Sequence, residues 1–265
     1  MTTNETYPLF LRAEWRYLVM LNYRIPAGIL VPYAPEGTEV DLWEDSVTFI
    51  SLLGFRFIRT RAFGIPIPVY ADFDEINLRF YVTRRVDGHL RRGVVFMREI
   101  IARRAIAAAA KAMYNEPYTV HDTKHQVPPI DNPPRTPDTV EYSWKQPERW
   151  SRIAFTSAGP AGEIKSGSEE EFISVRHWGY TQQPDGGTTE YRVDHPRWRI
   201  WQKSDARLEA DVNELVSKLK LHNAQIAETL SQPPDSAYLA DGSPVTVSFP
   251  KRLPVKGDPR DLIGR

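Results

Sequence analysis

Apolar and polar residues alternate along residues 75–84, which is the pattern of a β-strand with two different faces. One face carries Ile76, Leu78, Phe80 and Val82, and the other carries Glu75, Asn77, Arg79 and Tyr81. In an open sheet the polar face would contact water, whereas in a closed sheet it would line the interior. The function of this strand therefore depends on whether the sheet closes.

Two further strands are predicted on either side of this one. Residues 47–57 are almost all apolar, which predicts a strand buried on both faces, and Gly54 within it predicts a bulge or bend. Residues 93–100 follow a hairpin turn, and strict alternation places Arg98 and Glu99 on opposite faces of that strand. At most one of these two side chains would then line an interior.

The rest of the chain mixes strand and helix patterns, which predicts an α+β fold. Further strands are predicted at residues 142–145, 152–157, 172–181, 188–193, 198–201 and 245–249. Helices are predicted at residues 101–114, after a Ser204 N-cap, and at residues 223–230. Five prolines between residues 128 and 137 predict an exposed loop at about 126–140.

The amino-acid composition argues against several classes of function. The chain has 34 Lys and Arg against 34 Asp and Glu, so it lacks the surplus of positive charge that a nucleic-acid partner requires. It has no cysteine, which excludes disulfides and thiolate chemistry. No apolar stretch is long enough to span a membrane and no signal segment is evident, so we expect a cytoplasmic protein.

Several aromatic-rich blocks resemble a known family. They are AEWRYLVMLNYRIP (13–26), FDEINLRFYVTR (73–84), RRGVVFMREI (91–100), YNEPY (114–118), HWGYT (177–181), EYRVDHPRW (190–198) and SAYLADGSPVTV (236–247). In this order they resemble the domain of unknown function 2071 (YqjF-like) family. That family is similar in fold to acetoacetate decarboxylase, which implies a bent, mostly antiparallel β-barrel with a central cavity and external helices. The end-to-end resemblance favours one domain over residues 1–265.

The resemblance also implies where catalysis would depart from that of acetoacetate decarboxylase. The decarboxylase uses a lysine that forms a Schiff base with a β-keto acid, and the matching block here is 99–104, with Arg103 and Arg104 at the lysine positions. A guanidinium stays protonated and cannot form an imine. We therefore expect no Schiff-base decarboxylase and no cofactor.

A closed sheet gives the polar residues specific roles. Arg79 would hold the carboxylate of a small organic acid, and Glu75 or Glu99 would act as acid or base. His177 is the third catalytic candidate, as an imidazole donor. The residues predicted to contact the ligand are Asn77, Arg79, Tyr81, Arg98, Arg103 and Tyr180.

Each of these assignments has an alternative. Glu99 would form a surface ion pair if the strand end were exposed, and His177 and His195 would be core histidines bonded to backbone. His121 and His125 have metal-ligand spacing but no helix pattern around them, so no metal site is predicted. Two functions stay open, a lyase- or hydrolase-like enzyme acting on a small organic acid or carbonyl compound, and a non-catalytic, lipocalin-like binding or sensing protein. The sequence also leaves homo-oligomerisation open.

Overall fold

Strands dominate the computed structural model, which describes residues 6–67, 71–130, 138–219 and 224–253. The strands are β1 (Leu9–Pro26), β2 (Glu39–Val40), β3 (Val47–Ala62), β4 (Ile65–Pro66), β5 (Phe73–Val86), β6 (His89–Ile101), β7 (Tyr118–Val120), β8 (Thr123–Gln126), β9 (Thr139–Lys145), β10 (Trp150–Glu163), β11 (Trp178–Gln182), β12 (Thr188–Asp194), β13 (Arg199–Glu209), β14 (Ser236–Ser248) and β15 (Lys251–Arg252). The helices are α1 (Ala27–Leu30), α2 (Arg104–Tyr114), α3 (Glu169–Ser174), α4 (Val212–Ser217) and α5 (Ala224–Leu230). None of the helices in these residues has the length and apolar character needed to cross a membrane.

Seven strands close into a ring in the order β12, β11, β6, β5, β3, β1 and β14, because β14 pairs in turn with β12. Neighbours around the ring are antiparallel, except that β6 and β11 are parallel. Strands β13, β10, β9 and β8 extend the same sheet beyond β14. The expected α+β architecture with a closed sheet is therefore confirmed in the form of this ring.

Strand β3 is apolar on both faces, as the apolar run at residues 47–57 predicts. On β3, Ile50 and Leu52 belong to one hydrophobic cluster, while Phe49 and Leu53 belong to another. The first cluster also contains buried residues of α4 and α5, so these helices cover one face of the sheet. Burying this much apolar surface on both sides supplies the main stabilisation of a chain that has no disulfide.

Gly54 does not form the predicted bulge or bend in β3, and its role is in packing. Its own pairing with β5 is regular, and the irregularity lies opposite, in β1, where Tyr17 has a φ of 52°. A Cβ on Gly54 would lie 2.7 Å from Ile153 Cδ1 and 2.8 Å from Tyr142 Cδ2. The glycine therefore allows β9 and β10 to pack closely against β3.

Two predicted elements are correct only in part: the strand predicted at 172–181 is found as β11 from Trp178, and the helix predicted after Ser204 is found as α4. Residues 172–174 were predicted as strand but belong to α3, because Ser168 caps that helix by accepting from the Glu171 amide and three glutamates occupy its first turn. Ser204 was predicted to cap a helix but lies inside β13, which pairs with β10. The helix begins only at Val212, after an Asp211 cap.

Smaller differences concern the ends of elements. Ile101 still belongs to β6, and the following helix starts at Arg104. In the proline-rich segment, Gln126 ends β8 and Thr139 begins β9, while residues 131–137 lie outside the described residues. The helix predicted at 223–230 is confirmed from Ala224, and residue 223 also lies outside.

Candidate functional site

A cavity of about 410 Å³ opens between the ring and helix α2. Its walls are mostly apolar, with side chains from β1, β3, β6 and α2. The polar side chains that line it include Glu75, Arg79, Glu99, Glu116, Tyr114, Tyr118, Ser174, Arg176, Tyr191 and His195. Charged groups placed in an apolar cavity are the arrangement expected of a ligand site rather than of a packed core.

Strand β5 supplies two of the charged groups by simple alternation. Glu75 and Arg79 line the cavity, and Asn77 between them on the same face donates to Glu75 Oε1 at 3.0 Å. Ile76 and Leu78 point the other way into the first hydrophobic cluster. Glu75 and Arg79 therefore lie on the cavity side of β5, where alternation places them in a closed sheet.

Strand β6 supplies Glu99 through an irregularity that strict alternation could not predict. Leu78 pairs with Arg98 and Arg79 pairs with Phe96, so Met97 is an extra residue with no partner on β5. The bulge shifts the phase of the strand by one residue. As a result Phe96 and Glu99 share the cavity face, although the sequence placed them on opposite faces.

Three buried carboxyl groups meet at the cavity floor. Glu75 Oε2 accepts from the Tyr118 hydroxyl at 3.0 Å. Glu116 Oε1 accepts from Thr181 at 2.5 Å and from the Tyr191 hydroxyl at 2.7 Å. Among the described residues, Glu99 Oε2 and Glu116 Oε2 have no hydrogen-bond partner, although both atoms are buried.

Burial raises the pKa of all three carboxyls. It is the main cause for Glu75, where bonds from Asn77 and Tyr118 and the charge of Arg79 act in the opposite direction and the pKa rises to about 7. The pKa of Glu116 is likewise raised to about 7 by burial, against the bonds from its hydroxyl donors. Burial, together with repulsion from the other two carboxylates, raises the pKa of Glu99 well above its usual value. The floor therefore holds exchangeable protons near neutral pH.

Two arginines lie beside these carboxyls. Arg79 is buried and its Nε has no hydrogen-bond partner among the described residues. Arg176 forms a buried ion pair with Asp41 at 2.5 Å, and its Nη2 is also unpartnered within the same part of the chain. Both guanidinium groups lie near the Tyr81 ring, whose centroid is 5.7 Å from the guanidinium carbon of Arg79 and 4.8 Å from that of Arg176. Unused guanidinium nitrogens can bind an anionic or carbonyl oxygen.

The histidine that reaches the cavity is His195, not the predicted His177. His195 stacks on Trp198 with ring centroids 4.3 Å apart, and burial lowers its pKa to about 4, so the imidazole is neutral at physiological pH. His177 places Nδ1 3.2 Å from the Val193 carbonyl oxygen and does not line the cavity. Its position matches the alternative of a histidine bonded to backbone.

Four other predicted ligand contacts lie away from the cavity. Tyr81 is buried and donates to Ser51 Oγ at 2.7 Å. Arg98 lies on the opposite face of β6 and donates to the Glu214 and Leu215 carbonyl oxygens, because the bulge turns it toward α4.

Arg103 and Tyr180 are the other two predicted ligand contacts that lie away from the cavity. Arg103 occupies the N-cap position of α2, where it does not contact the cavity. Tyr180 packs in the first hydrophobic cluster and does not line the cavity.

Sequence reasoning did not select Glu116, Tyr118 or Arg176 as site residues. Glu116 and Tyr118 belong to the block YNEPY, where a glutamate follows a helix that ends at Asn115 in the left-handed conformation, with φ of 62°. A lone glutamate among aromatic residues was the available signal. Gly179 was another, because a Cβ there would lie 2.0 Å from Tyr191 Cζ, so the glycine makes room for the Tyr191 ring.

None of the lysines in the described part of the chain lines the cavity, and Arg104, at a matching lysine position, is exposed. Over the same residues no group of three or more histidine or acidic side chains could hold a metal ion. His125 instead places Nδ1 2.8 Å from Asp74 Oδ2, and His121 places Nδ1 2.7 Å from the Lys145 carbonyl oxygen.

The family model of DUF2071, described as an uncharacterized conserved protein, matches residues 12–244. The chain belongs to this family. A comparison with curated proteins finds no match.

Solved structures with the same fold include enzymes. Acetoacetate decarboxylase from Legionella pneumophila has a TM-score of 0.61 and 16% identity, over 94% of this chain and 90% of that one. An acetoacetate decarboxylase-like enzyme from Sphingomonas wittichii RW1 has a TM-score of 0.60 and 14% identity, over 96% and 99%. The enduracididine biosynthesis enzyme MppR complexed with pyruvate has a TM-score of 0.63 and 10% identity, over 96% and 93%. These likenesses show an acetoacetate-decarboxylase-like fold.

Proposed function

We propose that the cavity binds a small organic acid or carbonyl compound and moves a proton on it, in a lyase- or hydrolase-type reaction. The observation that carries this proposal is the placement of three buried carboxyls and Arg79 on the floor of one apolar cavity. Groups with pKa values brought near 7 by burial are suited to acid–base catalysis. The MppR structure with pyruvate gives an example of a keto acid bound by this fold.

The surroundings of the carboxyls suggest different roles for them. Glu75 accepts bonds from Asn77 and Tyr118 and lies near the positive charge of Arg79, so it is the better base. Glu99 has an unpartnered oxygen and two acidic neighbours, so it retains its proton to higher pH and is the better acid. The unpartnered Nε of Arg79 would bind the carboxylate of the ligand.

Replacing Arg79 tests the binding role. Arg79→Gln should weaken the binding of pyruvate and acetoacetate about 10- to 100-fold, because a charge-assisted hydrogen bond to the ligand is lost. Titration calorimetry measures the dissociation constants. Arg85→Gln is the matched control, since Arg85 is exposed on the same strand. Equal affinity in wild type and Arg79→Gln would refute the role of Arg79.

A second candidate function, non-catalytic binding, is favoured by one observation. No lysine of the described residues lines the cavity, so the imine chemistry that the resemblance implies for acetoacetate decarboxylase has no nucleophile in that part of the chain.

Deuterium exchange separates catalysis from binding. In D₂O, the wild type should exchange the methyl protons of pyruvate, and Glu75→Gln should reduce the rate at least 100-fold because it removes the base. Proton NMR follows the exchange, and borohydride should trap no adduct. Binding without exchange would instead support the non-catalytic candidate, and a trapped lysine adduct would contradict both.

A further inference from the structure

We infer that the ligand of this cavity is amphiphilic, with its acid or carbonyl head on the carboxyl floor and an apolar body extending along the walls to the mouth. This inference rests on the proposed function and specifies its substrate class. It depends on how the polar and apolar lining residues are arranged with depth.

One wall of the cavity is a face of helix α2. Ala105, Ile106, Ala109, Ala110 and Met113 line the cavity, at the spacing that places residues on one side of a helix. Ala105 and Ala109 are exposed, so this wall reaches the surface. The small side chains leave open space where larger residues would fill the cavity.

The rim on the other side is aromatic. Phe10 and Phe63 both line the cavity, with ring centroids 5.3 Å apart. Phe63 is 66% exposed and has a φ of 54°, a conformation that is uncommon for a bulky residue. An exposed phenylalanine at the rim of a cavity provides apolar surface where a ligand enters.

The floor is polar and buried. Glu75, Glu99 and Glu116 are each at most 4% exposed, and two of them have unpartnered oxygens. These atoms require a polar ligand group, whereas the side chains of the α2 wall and of the Phe10–Phe63 rim are apolar. A molecule as small as pyruvate would engage the floor and leave the apolar walls in contact with water. A cavity of about 410 Å³ lies within the range of roughly 300–1,000 Å³ that holds larger organic ligands.

A homologous series tests the inference. Dissociation constants are measured for straight-chain 2-oxo acids from pyruvate to 2-oxododecanoic acid, below the concentration at which each aggregates. The affinity should rise about fourfold per added methylene until the chain reaches the mouth, and then level off. A rise of this size corresponds to the transfer of each methylene from water to the apolar walls.

Two variants of α2 locate the chain within the cavity. Ala109→Trp should fill the mouth and remove most of the affinity gain of long acids over pyruvate. Ala108→Trp is the matched control, because Ala108 is exposed on the same helix and does not line the cavity. If Ala109→Trp does not fold, Ala105→Trp replaces it at an equally exposed position on the lining face.

The outcomes separate this inference from the proposed function. If pyruvate binding depends on Arg79 but the dissociation constant does not change with chain length, the inference of an amphiphilic ligand is overturned and the proposed function stands. A rise with chain length combined with equal dissociation constants in wild type and Arg79→Gln overturns both, because the head group is then not recognised by Arg79 on the floor. Equal effects of Ala108→Trp and Ala109→Trp would also overturn the inference.

Discussion

At the scale of single residues, the main feature is a set of three carboxyl groups whose burial disfavours ionisation. Glu75, Glu99 and Glu116 are buried close together. Repulsion from Glu75 raises the pKa of both other carboxyls, and repulsion from Glu116 also raises that of Glu99. The hydroxyls of Tyr118 and Tyr191 remain protonated donors, because burial raises their own pKa well above the usual value. The protein therefore retains at neutral pH protons that free glutamates would have lost.

Replacing Glu75 by glutamine should change how stability depends on pH. The unfolded chain releases the Glu75 proton near 4.5 and the folded chain near 7, so the free energy of unfolding falls by up to about 1.4 kcal/mol per pH unit between these values. Glu75→Gln removes this loss. Relative to wild type, the variant should therefore gain about 1–3 kcal/mol between pH 5 and pH 7.5, as measured by urea denaturation.

The comparison with wild type is needed because His195 acts in the opposite direction. Its pKa is lowered to about 4, so its contribution to stability increases as pH rises from about 4 to 6.5. That contribution is present in both proteins and cancels in the difference. A difference that does not change with pH would show that Glu75 titrates normally.

At the residue scale, the site could be predicted only where one strand determines it. The alternation along β5 was enough to select Glu75 and Arg79. Glu116, Arg176 and His195 come from three separate segments, and only the folded ring brings them to the same floor. No local pattern distinguishes such residues from ordinary surface or core positions.

At the scale of elements, the bulge at Met97 decides which side chain of β6 reaches the cavity. It places Glu99 inside and lets Arg98 donate to the Glu214 and Leu215 carbonyl oxygens on the other side, each at 2.7 Å. The extra residue Met97 thus sets the faces of both Glu99 and Arg98. A bulge has no reliable signature in a single sequence, so alternation alone gave the wrong phase beyond Met97.

Deleting Met97 should remove the bulge and keep this arrangement. Residues 96, 98 and 99 then alternate regularly, so Glu99 stays on the cavity face and Arg98 stays on the opposite face. Stability should fall by about 2–5 kcal/mol because the buried Met97 side chain is lost from the first hydrophobic cluster, whereas pyruvate binding should persist. Denaturation and calorimetry measure the two effects. Met97→Leu keeps the residue count and should cost less than about 1.5 kcal/mol. Loss of pyruvate binding in a folded deletion variant would contradict this phase of the strand.

One of the two incorrectly predicted segments has a structure that depends on distant pairing. Residues around Ser204 have an apolar spacing that suits a helix, but pairing with β10 holds them in β13. The long strands β3, β5 and β6 were predicted correctly, since their apolar runs or alternation are strong without tertiary context. Ends of elements were less accurate because pairing, not propensity, determines where a ladder stops.

At the scale of the whole molecule, the ring joins segments from nearly all of the described chain into one sheet. We therefore predict one cooperative unfolding transition, with circular dichroism and tryptophan fluorescence changing together. The tryptophans are spread across the sheet, from Trp15 in β1 to Trp201 in β13, so fluorescence reports on distant parts. Two separated transitions would instead indicate two domains.

The central position of β1 has a consequence for how the chain folds during synthesis. This strand is made first among those described, yet one of its edges pairs with β14, through Leu21 with Ala237 and Ala13 with Val245. That edge must stay unpaired until more than two hundred further residues have left the ribosome. The ring therefore closes only after β14 has been made, and it closes slowly, because contacts between such distant segments delay folding. During that interval the open edge of β1 is the part of the nascent chain most in need of a chaperone.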